Sequence, residues 1–203
     1  MPTQQSEAEP LLEQLLELGE KQFSSEHIFD EVPHAFVDRN QYVNWRITLA
    51  DLLHVDPGEI VLVGSAALGF SLNPHKGFRP FTDDSDIDVA VISQRHFEEA
   101  WHYMRHMPSA KRGRMGAAAR RALDEHRERH IYFGVVATDR IIQYLPFAQE
   151  WLTALSFMAG VEPTLEREIN ARIYRDFHAL RSYQVLALRQ AKNQYLTKLS
   201  KGA

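Results

Sequence analysis

Cysteine is absent from the 203 residues, so neither a disulfide framework nor a thiolate zinc site is available to this chain. A chain of this length buries an adequate core without either. A reducing cytoplasm is the simplest expected setting. Long apolar runs are missing too. No uninterrupted stretch approaches the roughly 20 residues of a membrane-spanning helix. The opening "MPTQQSEAEPLLEQLLELGEKQ" has neither the basic start nor the continuous apolar segment of a secretory signal. Internal repeats, low-complexity tracts and linkers are also lacking. Residues 1–203 are therefore expected to form one domain without membrane association.

What is present fits a folded protein. Hydrophobic residues make up 44% of the chain and charged residues 25%, which argues against disorder. The net charge of −4 is unevenly spread. Residues 111–130, "KRGRMGAAARRALDEHRERH", hold seven Lys/Arg against three Asp/Glu, so this stretch is +4 and the remainder −8. A basic patch on an acidic protein points to an anionic partner such as RNA or a nucleotide. A solvated helix face is the plainer alternative.

Periodicity gives the elements. Leu11, Leu12, Leu15, Leu16 and Leu18 predict an amphipathic helix over 7–22. Asp38 is placed to cap a second helix, with Tyr42, Trp45, Leu49, Leu52 and Leu53 inward. After the Pro57–Gly58 turn, "EIVLVG" reads as a short strand, and "SDIDVAVIS" as the next. "QRHFEEAWHYMRHM" reads as a helix, "PSAKRGRMG" as a loop, and 117–129 as helix again. "HIYFGVVATD" is β-rich, "FAQEWLTALSFMAG" helical, and "LEREINARIYR" a strand with Ile169, Ala171 and Ile173 on one face. A long helix from about Asp176 ends the pattern. These elements predict a mixed α/β (α+β) fold, a small mixed sheet flanked by helices.

One segment carries chemistry: "GSAALGFSLNPHKGFRPFTDDSDIDVAV", residues 64–91. Asp86 and Asp88 stand two apart on a strand and so share a face. Side by side and unpartnered they resist double ionisation, and a divalent cation removes that conflict. Magnesium suits the arrangement, since it takes one or two carboxylates and completes its shell with waters and phosphates. Upstream, Gly64 lets backbone approach a ligand closely, and Ser65 opens a short helical turn with a hydroxyl fit for phosphate oxygens. The pair of features describes a site for a nucleoside triphosphate and Mg²⁺ or Mn²⁺.

The order of strand, "GS", spacer and "SDIDV" resembles the nucleotidyltransferase superfamily of DNA polymerase β. The resemblance implies that Gly64 and Ser65 contact the triphosphate (ATP or another NTP) while Asp86 and Asp88 ligate metal. It implies transfer of an NMP to an acceptor that is RNA, a nucleotide, a protein or a small molecule. It also implies a third carboxylate on a neighbouring strand. No acid inside an apolar strand follows Ile92. Asp139, at the end of "YFGVVATD", and Glu168, in "REINARI", are the two candidates. Without a third acid, the alternative is a catalytically weak or inactive nucleotide-binding module that partners a toxin or defence effector.

The twenty residues between Ser65 and Asp86 form a long spacer, in which Lys76 or Arg79 is placed to reach a phosphate. The histidine pairs His102/His106 and His126/His130 are expected to face solvent. Trp45, Trp101 and Trp151 are expected in the core. Arg172 and Tyr174 read either as a phosphate ligand and a base-stacking ring, or as ordinary polar residues of a strand edge.

Overall fold

The computed structural model describes residues 8–139 and 141–202. A four-stranded mixed sheet divides it into layers. Strands β1 (Ile60–Val63), β2 (Ile87–Ile92), β3 (Val135–Ala137) and β4 (Ile169–Tyr174) lie in the spatial order β1-β2-β4-β3. β1 runs antiparallel to β2, β2 parallel to β4, and β4 antiparallel to β3. The expected mixed sheet with flanking helices is therefore the observed one.

Alternation decides which helices cover which face. Leu62, Ile87, Val89, Val91, Ala171 and Ile173 point to one side. There they meet α2 (Arg39–Leu53), α4 (Gln94–Arg105), α6 (Ala117–Glu125) and α7 (Ala148–Met158) through Trp45, Leu49, Phe97, Leu123 and Trp151. Val61, Val63, Ala90, Val135 and Tyr174 point to the other. That side is closed by α1 (Glu9–Phe23) and α8 (Phe177–Gly202), through Leu12, Leu15, Leu180, Leu188 and Ala191. Each fully buried Leu, Ile or Val contributes about 1.5–3 kcal/mol of transfer free energy, so both layers are needed to hold the sheet.

Local signals set the boundaries. The Asp38 carboxylate accepts from Gln41 N at 2.8 Å and starts α2. The helix ends at His54, which adopts the left-handed conformation at φ 52°. Ser93 caps α4 in the same way, accepting from His96 N.

Outside the cleft, the structure departs from the sequence expectation in four places. Residues 109–113 form a short helix, α5 (Ser109–Gly113), begun by Lys111 and Arg112 N–H donating to Pro108 O. Only Val135–Ala137 of the β-rich run is strand, because Gly134 turns the chain at φ 70°, with α8 packed so close that a Cβ there would lie 3.0 Å from Ala179. His126 is buried rather than solvent-facing: its Nε2 accepts from Ala137 N at 2.9 Å and its Nδ1 meets Ala122 O. Trp101 is only half-buried, whereas Trp45 and Trp151 are core. Trp45 donates to Thr164 Oγ1 at 2.9 Å.

His96 is the other buried imidazole, between Phe147 and Trp151 at 5.0 and 5.1 Å, with Nδ1 2.9 Å from Ser93 Oγ. Burial, reinforced by Arg95 and His54, pushes its pKa down from 6.5 to about 4. The unfolded chain therefore takes up this proton first. Stability from His96 is full above pH 6.5 and is lost as pH falls towards 4. Chemical denaturation should show His96→Phe losing about 3 kcal/mol less than wild type over that interval. Equal losses in both proteins would refute the assignment.

Candidate functional site

β1 delivers the chain to Gly64, whose backbone at φ 67°, ψ −145° is open essentially to glycine alone. A second constraint coincides with it. β1 and β2 pair with Val63 opposite Asp88, and a Cβ on residue 64 would stand 3.0 Å from Asp88 Oδ2. Glycine is needed for the turn, and it also leaves the carboxylate undisplaced. Ser65 then opens α3 (Ser65–Leu68), a single turn closed by Gly69 at φ 79°. Its outer side is held by His34 and Ala35 N–H, which donate to Ala67 and Ala66 O at 3.0 and 2.9 Å.

Asp88 lies half-buried within β2, and Asp86 is exposed at its entry. Burial raises the Asp88 pKa, Arg172 pulls it back, Asp86 pushes it up again, and Lys76 and Asp139 add smaller opposite effects. The entry to β2 is fastened by Arg167, which has no obvious signal in the sequence. Its Nη1 donates to Thr82, Asp83 and Ser85 O at 2.7, 3.0 and 3.1 Å, and its Nη2 meets Asp83 Oδ1 at 3.1 Å. The guanidinium also lies 4.7 Å from the Phe81 ring centre. The chain just before Asp86 thus has a fixed path.

Gly64, Ser65, Asp86 and Asp88 line one cleft of about 690 Å³, roofed by α8. Asp139 lines the same cleft from the end of β3. Glu168 does not: it is exposed and borders a separate hollow with Arg167 and Leu155. Beside Asp88 on β4 stands Asn170, a neutral amide. From the long spacer, His75 and Lys76 reach the cleft, whereas Arg79 does not line it. The β4 residues correct the sequence expectation. Arg172 and Tyr174 belong to an interior strand rather than an edge, and Tyr174 is fully buried, so its ring has no face free for stacking.

Hard carboxylate oxygens on a stiff strand fit magnesium, for which one or two such ligands suffice. Among the described residues, no three His, Asp or Glu side chains gather at metal-binding distance. Asp86 and Asp88 are thus the residues to hold such an ion, with the remaining positions left to water and phosphate. Comparison of the chain with protein-family models, with curated proteins and with solved structures finds no match. Among the described residues, no helix is long and apolar enough to cross a membrane.

Two outcomes follow. The raised Asp88 pKa means that the folded protein holds this proton more tightly than the unfolded chain, so stability falls as pH rises above 3.8 through the raised value. Asp88→Asn should melt higher than wild type at pH 7 without divalent ions, and the difference should vanish in acid. Millimolar Mg²⁺ should reverse the order by stabilising wild type alone. A lower-melting, Mg²⁺-responsive Asp88→Asn would contradict this account. Gly64→Ala should cost about 1–3 kcal/mol in denaturant titrations, from backbone strain and displacement of Asp88, and should abolish the Mg²⁺ stabilisation.

Proposed function

We propose that the protein is a metal-dependent nucleotidyltransferase that moves an NMP from an NTP to an acceptor hydroxyl and releases pyrophosphate. The observation that carries this is the convergence of Gly64, Ser65, Asp86, Asp88 and Asp139 on a single cleft. A divalent ion bound there supplies charge neutralisation of the phosphates and acidifies an attacking hydroxyl. Asp86 and Asp88 hold that ion. Gly64 leaves room for a phosphate against the backbone, and Ser65 Oγ donates to one of its oxygens. Asp139, exposed across the cleft, is in place to take the acceptor's proton. The acceptor oxygen bonds to the α-phosphorus as the bond to the β-phosphate oxygen breaks, and pyrophosphate leaves with that electron pair.

A second reading is favoured by Asn170. Where the neighbouring strand faces Asp88, it offers an amide and not a carboxylate. This suits a nucleotide-binding module with weak or no turnover, serving as partner to a toxin or defence effector.

Incubation with each labelled NTP, Mg²⁺ or Mn²⁺ and candidate acceptors separates the two. Turnover that releases pyrophosphate and disappears in Asp86→Ala/Asp88→Ala is the expected result. Mg²⁺-dependent nucleotide binding without turnover selects the module. Absence of any nucleotide binding rejects both.

A further inference from the structure

Arg172 is a half-buried cation with few commitments. It lies on β4 opposite Ala90 of β2 and Ala137 of β3, and lines the cleft. Its Nη1 donates to Tyr183 Oη at 2.5 Å, and its Cζ is 5.5 Å from the Tyr183 ring centre. No carboxylate among the described residues forms an ion pair with it. A guanidinium carries five N–H donors, so most remain available. Beside it, Tyr174 is fully buried with its hydroxyl turned to Arg172. The Tyr174 and Tyr183 rings meet edge to face at 5.8 Å. A phenol and a guanidinium therefore meet where the sheet and α8 adjoin, in the cleft that also holds Asp86 and Asp88.

Position decides which ligand. Gly64 and Ser65 follow β1, whereas Arg172 is two strands away on β4, with Asp88 on the strand between them. At about 4.8 Å per strand, Ser65 and Arg172 stand roughly 10 Å apart across the sheet with Asp88 between them, which leaves room for a donor phosphate at one and a second anion at the other. Charge argues the same way. A cation held by Asp86 and Asp88 cancels the field that now balances Arg172, leaving a desolvated positive charge that a second anion offsets. A guanidinium fork pairs in two-pronged fashion with phosphate or carboxylate alike.

We propose that Arg172 and Tyr183 form an oxyanion subsite for the acceptor, which is thereby a small molecule bearing a phosphate or carboxylate group. The identity of the bound group as acceptor rests on the transferase reading above; the anion site itself does not. Gln184, buried on α8, and Gln190 line the same wall and offer amides to the rest of that molecule.

Calorimetry on the full chain tests this. With Mg²⁺ and a non-hydrolysable NTP analogue at saturation, inorganic phosphate and acetate are titrated in separate arms, which identifies the preferred oxyanion. The expected result is binding of at least one, weakened about tenfold or more in Arg172→Met and less in Arg172→Lys, with analogue affinity unchanged. No anion binding by wild type, or equal binding by Arg172→Met, overturns the proposal. So does a loss of analogue affinity in Arg172→Met, which would move Arg172 to the donor side. If Arg172→Met fails to fold, Tyr183→Phe decides: severalfold weaker anion binding supports the site, and unchanged binding overturns it. Should wild type bind the anion through Arg172 yet never bind the analogue, the subsite stands and the transferase assignment falls.

Discussion

The contact between Gly64 and Asp88 is the constraint on which the site depends. Antiparallel pairing of β1 with β2 sets Val63 opposite Asp88, so the end of one strand meets the carboxylate of the next. The left-handed backbone there favours glycine, and a Cβ would lie 3.0 Å from Oδ2 and press the carboxylate aside. A slip of one residue in this register would turn Asp88 into the core on the far face and bring Val89 to the cleft. The hydrophobic alternation of Ile87, Val89 and Val91, all buried, is what forbids that slip. The chemistry of the cleft is thus specified by residues that never touch it.

The cleft's electrostatics depart from what stability alone would select. Asp88 is half-buried beside Asp86 and Asp139, and its cationic neighbours Arg172 and Lys76 form no ion pair with it. Burial dominates, so the ionised carboxylate is a net cost. Arg167 could relieve acidic crowding, yet it is spent on three carbonyls and Asp83, where it orders the approach to β2. A protein with no use for adjacent carboxylates has neutral alternatives of the same size, such as Asn170 one strand away. Retaining the charges is the pattern expected of a site that binds a cation.

Much of this was legible in the sequence because it depends on short-range rules. The Asp38 cap, the β2 and β4 alternation, the Gly64–Ser65 turn and the shared side of Asp86 and Asp88 all follow from residues within a few positions of each other. What escaped depends on long-range packing. Arg167 clasps residues some 82–85 positions earlier, a relation no periodicity encodes. His126 and His130, four apart on a helical stretch, gave no sign that one tucks beneath β3 to accept from Ala137. Arg172 resembled an edge residue because "NARIYR" alternates as an edge strand would. It lies inside the sheet because β3, only three residues long, covers it. Asp139 was a candidate by position at a strand end; only the strand order brings it to the cleft and leaves Glu168 outside.

The long spacer between Ser65 and Asp86 is an anchored excursion and not a hinged flap. Ser71 N donates to Arg79 O and Phe81 N to Gly69 O, at 2.9 and 2.7 Å, closing its base. Phe78, buried despite a φ of 61°, packs at 6.4 Å against both Phe70 and Tyr195. Tyr195 belongs to α8, the same helix whose Tyr183, Gln184, Ala187 and Gln190 roof the cleft. These four recur at helical spacing, while Leu180, Leu188, Ala191 and Tyr195 form the adjoining buried stripe. One helix therefore carries the roof on one stripe and fixes the Lys76 wall through the other. The floor, set by the β1–β2 register, and the roof, set by α8, meet at Arg172 and Tyr183.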